Sequence, residues 1–305
     1  MLGIFNAKAS NLQVGLDFLP TGVAAVALAR GGRNSGQVRH CDFLPAVGAD
    51  EQSQALRQWV DERGLKNVAC NALIAKHDVQ IFQIEKPAVV DAELLQAVSW
   101  KVKDLVSFDV AAAVVDVFDM PASSKSLHSQ INAVVAKEAV VGGYVERIRE
   151  SGLELRVIDI HDLAGKNFSR AYDLSDKTYA LLQFGDKDGL LSVYHDGDLY
   201  ISRDLKLGVL DMQPEAGDES LYDRLLLELQ RSMDYFESNY GMGQVQELLI
   251  FPQCAGTEKM ATYLQNYVSY EIDFVQVELA GNGAEGGLER HCFSAYCAAL
   301  RGFGE

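Results

Sequence analysis

Residues 13–30, QVGLDFLPTGVAAVALAR, place a carboxylate and a glycine on either side of a turn that could hold a phosphate. Apolar side chains alternate as far as Asp17, Gly22 follows five residues later, and a second alternating run leads away. Such a turn can bind phosphate because its backbone N–H groups point towards the anion. Pro20 counts against this function, since proline has no backbone N–H to donate. Two interpretations stay open: a working phosphate turn, or a hairpin that shares only its shape.

A second copy of this pattern follows near residue 180. Its predicted strands are 179–185, 190–194 and 199–204, just as a strand at 37–43 follows the first hairpin. Aligning Asp17 with Gln183 places the copies 183 − 17 = 166 residues apart. Duplication of a meander that opens a β/α domain is typical of an actin-like fold. A generic α/β protein is the alternative.

Composition narrows the class of protein. The chain has 43 acidic and 27 basic residues and a formal charge of −16, which disfavours nucleic acid and anionic lipid as direct partners. Apolar runs of about ten residues are shorter than the roughly 20 needed to span a bilayer. The first residues, MLGIFNAKAS, lack the pattern of a signal peptide, which predicts a cytoplasmic location. Five scattered cysteines without a CxxC pair favour free thiols over a metal site or disulfides.

Periodicity and capping residues predict the remaining elements. Helices are expected at 50–63, 91–106, 137–151, 161–174, 221–240, 257–267 and 293–300. Further strands are expected at 68–75, 80–85, 114–120, 131–136, 247–251 and 274–279. The expected domains are a first lobe at 1–77, an inserted α+β subdomain at 78–153, a linking helical region of the first lobe at 154–178, a second lobe at 179–289, and a C-terminal helix at 290–305 that returns to the first lobe.

The order and spacing of five segments resemble a known family. The segments are VGLDFLPTGVAAVAL, IEKPAVVDAELLQAVSWKVKDLVSFDVAAAVVDVF, VVGGYVERIRESGLELRVIDIHDLA, LLQFGDKDGLLSVYHDGDLYISRDLKLG and LLLELQRSMDYFESNYG. Together they resemble the PilM family of pilus-assembly proteins, in particular the MshI proteins of the mannose-sensitive haemagglutinin (MSHA) pilus. The resemblance covers about residues 12–303.

The resemblance implies a fold and a partner. It implies an actin-like (ribonuclease H-like, duplicated) two-lobed α/β fold with a small α+β inserted subdomain, as in the cell-division protein FtsA. It also implies a cytoplasmic scaffold, peripheral to the inner membrane, that binds the short N-terminal tail of a PilN-type inner-membrane protein in a type IV pilus assembly platform. The cytoplasmic part of the secretion protein GspL is a related arrangement and an alternative identity.

In this family ATP is held by three turns, and all three depart from the family pattern here. In the first turn Asp17, which would position Mg²⁺, is retained, but Leu19 replaces a glycine and Pro20 interrupts a hydroxyl run. In the second turn Gln183 replaces an aspartate, and Asp186 and Asp188 occupy the phosphate-facing turn, unless they point away or Lys187 compensates their charge. One carboxylate about 4 Å from a phosphate charge costs roughly 4 kcal/mol at an effective dielectric of about 20.

The third turn, around the adenosine, has lost most of its glycines. Pro252, Gln253 and Cys254 occupy the expected glycine run, and only Gly256 remains. We therefore expect a vestigial site without cofactor or catalysis, whose residues are Asp17, Thr21, Gly22, Gly185 and Gly256. A divergent protein that still binds Mg·ATP, or weakly hydrolyses it, is the alternative.

For the partner we expect a groove beside the inserted subdomain. The helix predicted at 91–106 carries Trp100 near its middle, and Glu93 and Asp104 make the region acidic, which suits a tail bearing Arg or Lys. Trp100 could instead pack in the core. The sequence also leaves open self-association and an FtsA-like filament.

Overall fold

The structure is a computed structural model that describes residues 11–30, 36–119, 121, 129–172, 174, 176–212, 219–277 and 287–302. The strands, in chain order, are β1 (Leu12–Leu19), β2 (Gly22–Arg30), β3 (Gly36–Pro45), β4 (Ala69–Leu73), β5 (Val79–Glu85), β6 (Ala113–Asp119), β7 (Gln130–Lys137), β8 (Glu154–Asp159), β9 (Thr178–Phe184), β10 (Gly189–His195), β11 (Asp198–Leu205), β12 (Glu247–Phe251) and β13 (Glu271–Phe274). The helices are α1 (Ala49–Arg63), α2 (Asp91–Val102), α3 (Glu138–Ser151), α4 (His161–Ala171), α5 (Glu219–Tyr240), α6 (Ala255–Leu264) and α7 (Phe293–Leu300).

The chain divides into two compact units. The first unit contains Met1–Lys76, Ala139–Ala171 and Val277–Glu305, and the second contains His77–Glu138 and Tyr172–Gln276. The two units divide the chain after residues 138, 171 and 276, whereas the expected domains divide it after 153, 178 and 289. The inserted subdomain at 78–153 stays a prediction. The C-terminal helix returns to the first unit.

Helix α3 accounts for the largest of these differences. We had placed it in the inserted subdomain, but it packs within the first unit. The backbone N–H of Ala75 donates to the Tyr144 hydroxyl at 3.1 Å, and the Tyr144 ring meets Phe18 edge to face, with centroids 5.2 Å apart. Its buried face is therefore matched to β1 and to the segment that follows β4, a match that helical periodicity alone does not specify.

The first unit is built on a five-stranded sheet in the order β3-β2-β1-β4-β8. The meander β1 to β3 is antiparallel, and β4 and β8 continue from β1 in parallel. Strand β2 is buried on both faces, as expected from its unbroken run of small and β-branched apolar residues. Strand β8 had not been predicted, although it completes the edge beside β4.

The second unit contains a sheet with the corresponding order, β11-β10-β9-β12-β13. It again begins with an antiparallel meander and ends with two parallel strands. The predicted duplication is thus confirmed strand by strand. Strand β13 lies earlier than the predicted 274–279. Strand β13 ends at Phe274, which pairs with Ile250, although the N–H of Val275 still donates to the Ile250 carbonyl at 3.0 Å. Residues 278 and 279 of the predicted strand lie outside the described residues.

Helices cover both faces of the first sheet. Gly15, Val26 and Cys41 form one row across β1, β2 and β3, and a Cβ on Gly15 would lie 1.9 Å from the backbone oxygen of Ala295 in α7. Only glycine therefore permits α7 to approach β1 so closely. The next residue of β3, Asp42, points to the opposite face, where it accepts a hydrogen bond from the Trp59 indole of α1.

A three-stranded antiparallel sheet, β5-β7-β6, and helix α2 form a small subdomain within the second unit. Its core consists of Val98 and Val102 on α2 and of Ile131, Ala133 and Val135 on β7. The helix ends at Val102 and not at 106, because the N–H of Leu105 donates to Val102 and tightens the turn. Among the described residues, no helix combines the length and apolarity needed to cross a membrane.

Candidate functional site

The first candidate turn is a tight β1–β2 hairpin. Leu19 pairs with Gly22, so that Pro20 and Thr21 alone form the turn. Thr21 is exposed, and its carbonyl accepts a hydrogen bond from Ala46 at 3.1 Å. A Cβ on Gly22 would lie 2.4 Å from the Leu44 oxygen. The glycine therefore allows β3 to approach β2 closely.

Asp17 lies near the end of β1 and is almost fully buried, with 2% of its surface exposed. His161, the first residue of α4, places its Nε2 atom 3.0 Å and 3.1 Å from the two carboxylate oxygens. Burial lowers the pKa of His161, but the carboxylate outweighs it and holds the pKa above the ordinary value of 6.5, while Lys76 opposes this. A protonated His161 thus supplies an internal counter-ion to Asp17.

The second candidate turn joins β9 and β10 at Gly185. Its N–H donates to the carbonyl of Asp188 at 2.9 Å, and its carbonyl accepts from Val209 at 2.9 Å. A Cβ on Gly185 would lie 2.6 Å from Oδ1 of Asp188, so this carboxylate points towards the turn. The sequence had left open whether Asp188 points away; it does not.

A 3-10 turn, Val209–Met212, covers this loop. The N–H of Leu210 donates to Asp186 at 2.9 Å, and a Cβ on Gly208 would lie 2.4 Å from the Asp186 carbonyl. Backbone of the same unit therefore contacts the Gly185 turn directly.

The third candidate turn opens α6. A Cβ on Gly256 would lie 2.6 Å from the backbone oxygen of Met212, so this glycine permits α6 to pack on the Val209–Met212 turn. Thr257 donates from its hydroxyl to the Pro252 carbonyl at 2.7 Å and accepts from the Cys254 N–H at 3.0 Å. The Thr257 side chain thus satisfies backbone groups at the start of its own helix, α6.

The expected partner surface lies on and beside α2. Trp100 is 66% exposed, which excludes the core-packing interpretation, and the ammonium of Lys103 lies 4.9 Å from the centre of its ring. Glu93 and Asp104 are also exposed. The same stretch exposes further large apolar side chains that the sequence analysis had not separated from the core: Val89, Val90, Leu95 and Leu105.

Comparison with solved structures identifies the fold. A chain of the PilM–PilN type IV pilus biogenesis complex matches with a TM-score of 0.67 at 18% identity, covering 94% of this chain and 97% of that one. A Bacteroides thetaiotaomicron protein of unknown function, described as having an actin-like ATPase fold, matches at 0.50 with 10% identity, covering 90% and 94%. This chain has an actin-like fold.

A third similarity, at a TM-score of 0.49, adds nothing to the assignment of the actin-like fold. It is to the cytoplasmic domain of EpsL, an inner membrane component of the type II secretion system of Vibrio cholerae, at 10% identity over 85% of this chain and 96% of that one. No protein-family model matches the sequence. No curated protein matches it significantly.

Two residues that shape the candidate turns of this actin-like chain were missed by sequence reasoning. His161 follows strand β8, which had not been predicted, so the approach of its ring to β1 was not expected. Met212 lies in a short segment without periodicity. A polar residue that opens a helix directly after a parallel strand was the one available signal for His161, since such positions meet at the carboxyl edge of the sheet.

Proposed function

We propose that this chain is a cytoplasmic, non-catalytic scaffold of a type IV pilus assembly platform, specifically of the MSHA type. It would bind the cytoplasmic N-terminal tail of an inner-membrane protein of PilN type and so stay peripheral to the membrane. One observation carries the proposal: the similarity to a chain of the PilM–PilN complex extends over 94% of this chain and 97% of that one, with a TM-score of 0.67.

Three contacts support the loss of nucleotide binding. Asp17, the residue expected to position Mg²⁺, is paired with His161 at 3.0 Å. A phosphate at the Gly185 turn would meet the inward carboxylate of Asp188, whose repulsion exceeds the roughly 1 kcal/mol of a neutral amide hydrogen bond. Gly256 is used for packing on Met212. These three contacts support a scaffold that does not use Mg·ATP.

The surface on α2 supports the partner class. Trp100 and Leu95 supply exposed apolar area, and large aromatic side chains often dominate binding energy at interfaces. Asp91, Glu93 and Asp104 are exposed on the same stretch and make it acidic, while Lys103 lies against the Trp100 ring. An extended tail with both apolar and basic residues would complement the exposed apolar side chains and the acidic residues of this surface.

Binding of a tail peptide tests the proposal. A fluorescent peptide of the cytoplasmic N-terminal tail of the PilN-type protein encoded in the same genome is titrated with the full chain, and anisotropy is recorded. Saturable binding is expected, and Trp100→Ala should weaken it by about 30-fold, the effect of losing roughly 2 kcal/mol. Tyr267→Ala, which removes another exposed aromatic residue of the second unit, is the matched control and should bind normally. Absence of binding, both with and without Mg·ATP, would remove the proposal's main support.

A further inference from the structure

Two cysteines far apart in sequence meet at the edge of the first sheet. Cys41 lies on β3, in the row with Gly15 and Val26 that faces α7, and Cys292 directly precedes α7. Cys292 Sγ lies 3.5 Å from the carbonyl oxygen of Asp42, the residue next to Cys41, so the two cysteines face each other across this edge.

The contact between these two segments extends beyond the sulfur atoms. The rings of Phe43 and His291, the neighbours of the two cysteines, stack with centroids 4.2 Å apart. His291 is held in turn by Glu289, whose carboxylate lies 2.8 Å from its Nδ1 atom. The thiols are therefore kept together by a packed interface on which both segments converge.

We propose that Cys41 and Cys292 form a hydroperoxide-responsive dithiol that closes to an intramolecular disulfide. Cys41 is the attacking thiol because it is partly exposed, whereas Cys292 is fully buried and acts as the resolving thiol. The dithiol belongs to the first unit alone and is independent of the tail-binding surface on α2.

The electrostatic environment separates the roles of the cysteines. The hydrogen bond from Cys292 lowers the pKa of Cys41, which increases the share of the reactive thiolate, although partial burial and Glu289 oppose this. The pKa of Cys292 is raised, first by its hydrogen bond with Cys41 and then by burial. Burial also raises the pKa of Cys70 and Cys297, which keeps both as thiols.

The chemistry balances in two steps. The Cys41 thiolate attacks one oxygen of hydrogen peroxide, the O–O bond breaks, and hydroxide leaves, so that sulfur is oxidised to sulfenic acid and peroxide is reduced. The Cys292 sulfur then attacks the Cys41 sulfur, the S–O bond breaks, and water leaves after taking the Cys292 proton. Overall, two thiols and one peroxide give one disulfide and two waters.

Mass spectrometry of the oxidised full chain tests the proposal. The reduced chain is treated under native conditions with a small excess of hydrogen peroxide, and the remaining thiols are alkylated. We expect the loss of two hydrogen atoms, a Cys41–Cys292 cross-linked peptide in the non-reducing digest, reversal by dithiothreitol, and a raised Tm, because the bond closes a long loop.

Three variants make the outcome specific. Cys41→Ser and Cys292→Ser should both lose the cross-link, and Cys254→Ser, which removes the other partly exposed thiol, should retain it. Since Cys292 is buried, circular dichroism verifies the fold of that variant, and Cys41→Ser gives the same test at a more exposed position. A sulfinic acid on Cys41 with Cys292 still free for alkylation would overturn the proposal, as would a cross-link that involves Cys254.

Discussion

The imidazole of His161 and the carboxylate of Asp17 form a buried pair, with Nε2 at 3.0 Å and 3.1 Å from the two oxygens. The pair joins the first residue of α4 to the end of β1 within the first unit. A buried carboxylate must be compensated by an opposite charge, a metal or several hydrogen bonds. Here the compensating group is part of the protein itself, which makes the stability of the first unit depend on one histidine.

Replacing His161 by alanine should destabilise the chain. His161→Ala leaves Asp17 buried without its counter-ion, and breaking such a pair costs about 3 kcal/mol or more. Urea unfolding measures the change in free energy. His77→Ala, at a largely exposed histidine, is the control and should change stability by no more than about 0.5 kcal/mol.

Adding Asp17→Asn to His161→Ala should recover part of this loss, since the buried charge is then removed as well. If the double variant is as unstable as the sum of the single variants, the two side chains do not interact energetically.

Stability should fall as the pH rises above 6.5. The pKa of His161 in the folded chain is raised above its ordinary value of 6.5 because the carboxylate of Asp17 outweighs the effect of burial. The pair's contribution is therefore fully present below pH 6.5 and is lost as the pH rises through the higher folded value. Lys76 and Asp162 also face the ring, with opposite effects. Urea midpoints of the wild type and of His161→Ala between pH 6 and 9 should converge, and a constant gap between the two would contradict this linkage.

Gly15→Ala should disrupt the docking of α7. The new Cβ would lie 1.9 Å from the Ala295 oxygen, and overpacking of this kind costs about 1–3 kcal/mol or more. Gly143→Ala is a matched control in the same unit, because its Cβ would meet nothing within 4 Å and alanine favours a helix. Thermal unfolding should therefore show a lower Tm for the first variant and an unchanged or higher Tm for the second.

Mg·ATP should leave the melting temperature unchanged. A ligand at 100 times its Kd adds about 2.7 kcal/mol to stability, which would raise the Tm of a chain of this size by several degrees. We expect no such shift at millimolar Mg·ATP, measured beside an ATP-binding protein of actin-like fold as positive control. A saturable shift with a micromolar midpoint would show that the three turns still hold nucleotide.

Local patterns predicted the parts of the fold that depend on neighbours in sequence. The two meanders follow from alternating apolar residues with glycine in the turns, and their duplication was visible in the match of Asp17 with Gln183. Long-range packing was not visible. The pair of Asp17 with His161 joins residues 144 positions apart, and strand β8 before it is short and polar on one side. Helix α3 had an apolar face but no indication of which sheet that face covers.

That the candidate residues form one site stays a prediction. Asp17, Gly22, Gly185 and Gly256 lie in or beside the three candidate turns, but what each turn contacts depended on segments without a pattern. For Trp100, helix geometry explains why the side chain is exposed. Val98 and Val102 point α2 towards its core, and a residue midway between them must face away.

The docking of α7 on Gly15 has a consequence for biosynthesis. Gly15 and Ala295 are 295 − 15 = 280 residues apart, so at about 5–20 residues per second the ribosome needs about 15–60 s between making the strand and making the helix that covers it. The sheet of the second unit, drawn from the continuous segment 178–274, can form within that interval. Until α7 has been synthesised, the face of β1 and β2 that it covers stays exposed in the nascent chain, and exposed apolar surface of this kind favours aggregation. The unit whose first strand is synthesised earliest is thus the one completed last.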